Sequence, residues 1–140
     1  MNERKIKSFQ DLDAWKQCRI LRKDIWLFCK TLPPEEKFRL VDQLIRASRS
    51  VTANIAEGYG RFGHQENIQF CRTSRASLYE LIDHMTTAED CEYMNHSVFL
   101  TCLEKIERCI ILMNGYINYL IDAKKRDSGY SKESETSYGE

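Results

Sequence analysis

The sequence predicts an all-α protein, an antiparallel up-down-up-down four-helix bundle. Three observations carry that prediction. Only two prolines, the adjacent Pro33 and Pro34, and six glycines occur in 140 residues, so long helices are interrupted at few places. Four stretches repeat apolar residues at steps of three and four, the period of one helix face. The connections between them are short, which favours antiparallel neighbours. A hydrophobic share of 42% with 30% charge suits one globular domain with a modest core.

The first helix is announced by Ser8 with Asp11 three residues on, a capping-box pattern, after which Leu12, Trp15, Cys18, Leu21, Ile25, Phe28 and Leu32 recur on one face. It is expected from about Phe9 to Thr31. Pro33 and Pro34 end it, and Pro34 with Glu35 and Glu36 makes a favourable first turn for the second helix, because the missing N–H costs nothing there and acids suit the N-terminal dipole. The second helix is expected to reach Tyr59, where Gly58 and Gly60 permit a turn.

The third helix places Phe70, Ser74, Ser77, Leu81, Met85 and Ala88 on its core face and fades near Tyr93; Asn95, His96 and Ser97 supply a turn and a cap. The fourth shows the cleanest seam, Phe99, Leu103, Ile106, Ile110, Met113, Ile117 and Leu120. Beyond Ala123 the chain is polar and aperiodic, and disorder is expected. The division is therefore an N-terminal segment 1–8, a bundle 9–123 and a disordered polar tail 124–140.

No stretch approaches the roughly 18 uncharged apolar residues of a membrane span, and the N-terminus lacks the apolar core of a signal peptide. A cytoplasmic protein without a membrane partner is expected. The six cysteines form no CxxC pair, which suits reduced structural thiols. His64, His84 and His96 are scattered, without HxxxH or HExxH spacing, and no phosphate-loop, dinucleotide or nucleophile-elbow motif occurs. The expectation is no enzyme, no metal and no cofactor.

On the second helix Leu40, Leu44, Ala47, Val51 and Gly58 fall on one line. Val41, Ile45, Ser48, Thr52 and Ala56 form an adjoining flank, so the uncharged arc is wider than one core contact requires. Small residues let another backbone approach, and that flank is expected to be a subunit interface. Arg46, Arg49, Ser50, Ala53, Glu57 and Arg61 occupy the remaining face. Glu57 is read as an ion-pair partner, Asn54 as a satisfied amide, and Glu80 as a partner for Arg46 or Arg61.

Net charge is zero, yet it is unevenly placed: residues 81–123 hold seven acids against Lys105 and Arg108, while the first thirty residues are basic, so the two segments can complement each other. Lys16, Arg19, Lys23, Trp26 and Lys30 form a basic ridge on the first helix. Ile68, Arg72, Arg75, Tyr79 and Ile82 form a second stripe on the third, expected opposite its core face. Such stripes are either solvated faces and intersubunit ion pairs, or contacts to nucleic-acid backbone with aromatic stacking.

FQDLDAW at 9–15, LPPEEKFRLVDQLIRAS at 32–48, SVTANIAEGYGR at 50–61 and FCRTSRASLYEL at 70–81 resemble the 23S rRNA intervening-sequence proteins. The resemblance implies an antiparallel four-helix bundle assembling as a ring-like homopentamer without catalytic activity. A related branch, the accessory variability determinants of diversity-generating retroelements, implies partners of two kinds, RNA or DNA and a reverse transcriptase. Arg46, Asn54, Glu57, Gly58, Gly60, Arg61 and Glu80 match the family's motif. The chain departs from it in having Ala76 before Ser77 and Leu78, where the family has glycine, and in being neutral where the accessory determinants are basic. The functional expectation is a homo-oligomeric, non-enzymatic scaffold whose Lys16, Arg19, Lys23, Lys30, Arg72 and Arg75 contact RNA or DNA backbone; the alternative is a protein-interaction adaptor that binds no nucleic acid directly.

Overall fold

A computed structural model describes residues 5–137, with side chains through residue 128. Its helices are α1 (Asp13–Cys29), α2 (Leu40–Tyr59), α3 (His64–Asp90) and α4 (His96–Ser137). Among the described residues there is no strand. The helix backbones approach closely between α1 and α2, α2 and α3, α3 and α4, and α4 and α1, and not across the diagonals among the described residues. The helices thus follow one another around a four-cornered core, and the α1–α2 and α3–α4 grooves lie on opposite sides.

The first turn forms as its sequence suggests, but as a separate 3-10 turn over Phe9–Asp11. The Gln10 N–H donates to Ser8 Oγ at 3.0 Å, and the Lys7 and Ser8 N–H groups donate to Asp11 Oδ2 at 2.9 and 3.1 Å. Those bonds hold the Asp11 carboxyl below its usual range. Leu12 then bends the chain, with ψ of 128°, and α1 begins only at Asp13. At the other end α1 stops at Cys29, short of Thr31.

The second helix also starts later than expected. Pro34–Glu36 is a 3-10 turn, and Arg39 is non-helical at φ −119° and ψ −102°. Glu36 explains the delay: its Oε2 accepts the Leu40 N–H at 3.1 Å and caps α2 from four residues upstream. Its Oε1 accepts from the Tyr93 hydroxyl at 3.1 Å, tying this end to the α3–α4 turn.

Gly58 and Gly60 do not serve a left-handed turn, since no glycine among the described residues has positive φ. Gly58 serves packing instead. A Cβ there would stand 2.8 Å from Phe70 Cβ and 3.1 Å from the Asn67 carbonyl oxygen, too close for the neighbours to stay in place, so α2 and α3 approach at this point because residue 58 has no side chain. Higher up the same seam, Ser74 Oγ donates to the Val51 carbonyl at 2.7 Å.

On α3 the buried residues are Asn67, Ile68, Cys71, Ser74, Ser77, Leu78, Leu81, Met85 and Ala88. Phe70, expected inside, is only half-buried, and Ala76 is exposed, so its departure from glycine touches no packing contact within the protomer. The turn after α3 places Glu92 at φ 63°, with the Tyr93 N–H reaching back to the Ala88 carbonyl at 2.9 Å, the bonding of a Schellman C-cap. Asn95 caps α4, its Oδ1 accepting the Val98 N–H at 2.8 Å.

Helix α4 runs to Ser137, through most of the tail expected to be disordered; residues 138–140 lie outside the described residues. Its periodicity stops at Ala123 because the bundle stops there, and past that point a polar helix needs no apolar face. Two bonds to α3 brace this extension: Lys124 Nζ donates to Gln65 Oε1 at 2.5 Å, and His64 Nε2 lies 2.8 Å from Asp127 Oδ2.

Candidate nucleic-acid interface

The ridge on α1 meets α2 in a groove that neither helix shows alone. Arg22, Lys23 and Trp26 from α1 and Ile45, Ser48 and Arg49 from α2 line a depression of about 240 Å³. Arg22 is positioned from below, its Nη1 donating to Thr52 Oγ1 at 2.8 Å, while the Thr52 hydroxyl donates to the Arg49 carbonyl at 3.3 Å. Lys30 Nζ lies 3.6 Å above the ring of half-exposed Trp26, and the Arg19 guanidinium lies 5.6 Å from the Trp15 ring. These contacts hold the long side chains in order along the ridge.

Among the described residues no acid lines this groove, and Lys16, Arg19, Arg22, Lys23, Lys30 and Arg49 form no ion pair. The nearby acid Asp24 points to the other flank of α1, where it accepts from Lys105 Nζ at 3.1 Å. Arg22, Lys23 and Arg49 thus gather beside Trp26 with Lys30 over the same ring, while Arg19 lies over Trp15 and Lys16 near enough to Asp11 to help lower its carboxyl pKa. Of the ridge cations expected from sequence only Lys23 lines the groove, with Lys16, Arg19 and Lys30 outside its lining, and sequence reasoning missed Arg22 and Arg49. Their i, i+4 partners Trp26 and Ile45 were the available signal.

The second stripe does not lie opposite the core face of α3. Ile68 is 2% exposed and Ile82 packs against the core, so the stripe borders α4. Arg75 is half-buried, its Nη1 donating to Asn114 Oδ1 of α4 at 2.9 Å. Arg72 remains exposed and lines a depression of about 320 Å³ with Ile68, Ile121, Lys124 and Lys125. Those two lysines were missed because they fell in the presumed tail. The α1 and α3 cations occupy opposite sides of one protomer, so one straight duplex cannot touch both.

The motif residues make local bonds rather than a reaction centre. Asn54 Nδ2 donates to the Ser50 carbonyl at 2.8 Å and to Ser50 Oγ at 3.0 Å, and Ser50 Oγ is 2.9 Å from Ser77 Oγ across the α2–α3 seam. Arg61 pairs with Glu57 at 3.0 Å and Glu66 at 3.9 Å, and lies 5.0 Å above the Phe70 ring. Glu80 pairs with neither Arg46 nor Arg61. It lies 3.0 Å from His84 Nε2, while Arg46 pairs with Asp42 at 3.5 Å, although Arg46 and Glu80 line one depression. All these pairs are solvent-exposed on at least one side and contribute little to stability.

The expected interface flank is divided. Ser48 and Thr52 are buried within the protomer, at 3% and 2% exposure, while Val41, Ile45 and Ala56 are half-buried. Much of the wide uncharged arc of α2 is thus covered internally: α1 takes the Ser48 and Thr52 side, and α3 takes Val51 and Gly58.

The imidazoles lie apart, His64 beside Asp127, His84 beside Glu80 and His96 beside Glu89. Among the described residues no three His, Cys, Asp or Glu side chains gather as metal ligands. Burial pushes the Cys29 thiol up to about 11 and Cys71 to about 12. Cys18 is also raised, by its hydrogen bond with Cys109 and then by burial. No helix among the described residues is long and apolar enough to cross a membrane.

Two comparisons with known proteins bear on this geometry. The model of the 23S rRNA-intervening sequence protein family matches residues 10–115, from the first turn to the middle of α4. No curated protein matches the chain.

Proposed function

This chain belongs to the 23S rRNA-intervening sequence protein family, and from that premise we propose that it is a non-enzymatic, homo-oligomeric scaffold that contacts nucleic-acid backbone through the α1–α2 groove. One observation carries the reading: Arg22, Lys23 and Arg49 converge beside Trp26 with no acid among the lining residues. Unpaired cations in a groove attract phosphate even on a chain of zero net charge. Copies of the groove in an oligomer strengthen a weak contact through effective concentration.

Binding to structured RNA, followed by fluorescence anisotropy at rising salt, tests the backbone contact. The log–log slope should approach about −0.9 per phosphate contact on a duplex, or about −0.7 on single strands. Lys23→Glu with Arg49→Glu should flatten that slope in proportion to the phosphates no longer neutralised; unchanged binding in the double variant overturns the groove as the contact. For assembly, Ala56→Arg on the outer edge of α2 should reduce the mass seen by light scattering while the helical circular dichroism stays intact. A wild-type protein that scatters as a monomer at micromolar concentration removes the oligomer.

A second reading has its own observation. Ile20 and Leu27, seven residues apart on one face of α1, are 51% and 54% exposed, an apolar strip suited to a protein partner. An adaptor binding a protein such as a reverse transcriptase through this face would tolerate the Lys23→Glu and Arg49→Glu changes.

A further inference from the structure

At the end of the bundle where α2 turns into α3, Phe62 is fully exposed between Gly60 and Gly63. A large aromatic with no packing partner is the kind of exposure that marks a binding surface. It faces a cleft of about 480 Å³ whose other wall is formed by Tyr116 and Tyr119 of α4. Those two rings are stacked, 6.4 Å apart and 14° from parallel, and Tyr119 is 59% exposed. The volume falls in the roughly 300–1,000 Å³ range of clefts that hold small ligands.

The cleft is not simply apolar. Asn67, 8% exposed, lies among its lining residues, with Nδ2 donating to the Tyr116 hydroxyl at 3.3 Å and Oδ1 accepting from Cys71 Sγ at 3.5 Å. Flat ring faces with an amide and hydroxyls between them match a ligand that is planar on its face and polar on its edge. Across the α3–α4 seam, bridged by the Lys124 to Gln65 bond, Arg72, Lys124 and Lys125 line the adjoining depression. Glu57 and Glu66 face Arg61 and Asp127 lies beside His64, while among the described residues Arg72, Lys124 and Lys125 form no ion pair. The cations of the seam are therefore left for a phosphate.

Building on the nucleic-acid reading above, we propose that this cleft receives a single unpaired base of structured RNA, stacked against Phe62 and Tyr119, while Arg72, Lys124 and Lys125 hold the adjoining backbone. Unpaired bases in loops and bulges are the parts of RNA that proteins take up on aromatic side chains, and cations beside the stack grip the strand. A peptide without acidic side chains would fill the aromatic cleft yet leave those three cations without a counter-charge. The site is separate from the α1–α2 groove.

Two hairpins of equal length, one fully paired and one with a single bulged purine, test the proposal with the full-length protein. The bulged hairpin should bind about tenfold more tightly, in line with the free energy of one base–aromatic stack. Phe62→Ala with Tyr119→Ala should bring the bulged hairpin down to the paired one without changing paired-hairpin affinity or helical circular dichroism. Phe62→Ala alone, in a turn with no buried contact, should lose part of the preference. Equal wild-type affinity for the two hairpins, with binding still abolished by Lys23→Glu and Arg49→Glu, overturns the base site and leaves the backbone groove standing; the cleft then falls to a protein partner. A preference that survives in the Phe62 and Tyr119 double variant also overturns it. Failure to bind either hairpin overturns both readings together.

Discussion

Gly58 packs so closely on Asn67 that a Cβ placed on the glycine would stand 2.7 Å from the Asn67 Oδ1. The contact joins α2 to α3 at the end of the bundle that carries the aromatic cleft, and it separates two glycines that look alike in sequence. Gly60 has no such neighbour: its nearest atoms to an added Cβ are the Glu57 and Ala56 carbonyl oxygens at 3.6 and 3.7 Å, and its φ is −76°.

Gly58→Ala should therefore destabilise the protein. Alanine gains up to about 1 kcal/mol of helix propensity, but overpacking costs about 1–3 kcal/mol, and Phe70 Cβ and the Asn67 backbone cannot swing away as a side-chain tip can. A net loss of about 1–2 kcal/mol is expected from urea unfolding. Gly60→Ala should be neutral or stabilise by up to about 1 kcal/mol, because only the unfolded chain loses freedom. Equal effects at the two positions would contradict the close approach at Gly58.

Glu92 carries the left-handed φ of 63° in the α3–α4 turn, a position that glycine occupies without strain. Left-handed backbone costs a non-glycine residue on the order of 1 kcal/mol or more, and the gain from removing that strain is partly offset by the more flexible unfolded chain that glycine brings. Glu92→Gly should raise stability by about 0.5 kcal/mol, read as a higher urea midpoint at unchanged slope. Glu92→Ala, which keeps the strain, should show no such rise.

The thiols should sort by burial. Cys91 is exposed and Cys102 half-buried, while Cys18, Cys29, Cys71 and Cys109 are buried. Iodoacetamide at mild alkaline pH should modify Cys91 first and Cys102 next, and reach the other four only after denaturant is added, as mass spectrometry will read directly. Burial lifts the folded pKa of Cys71 to about 12 and of Cys29 to about 11, from an ordinary value of 9.0. The unfolded chain then releases these protons near pH 9 while the folded chain retains them, so their contribution is complete below about pH 9 and is lost as pH rises from there through about 11 to 12. Cys71→Ser should show a shallower fall of stability between about pH 9 and 11 than the wild type.

Relationships within one helix were largely legible in the residues, although the stripe on α3 turned out to border α4 and Phe70 to be only half-buried. Steps of three and four located the four helices and their order, Ser8 with Asp11 and Asn95 announced two caps, and the four-residue spacing of Glu57 and Arg61 made their 3.0 Å pair. These are relationships within about one turn of chain, where about 100° per residue places one side chain relative to the next.

The relationships between helices could not be read along the chain. That Arg22 and Arg49 meet in one groove, that Thr52 sits beneath Arg22, that Ile68 is buried beside exposed Arg72, and that Lys124 reaches Gln65 all follow from which flank each neighbour covers and how near it stands. Gly58 is the plainest case, since whether it opens a turn or admits a neighbouring backbone is set by residues 67 and 70 on another helix. Periodicity marks a face as uncharged or basic; the distance and direction of the next helix decide whether that face becomes core, groove or open surface.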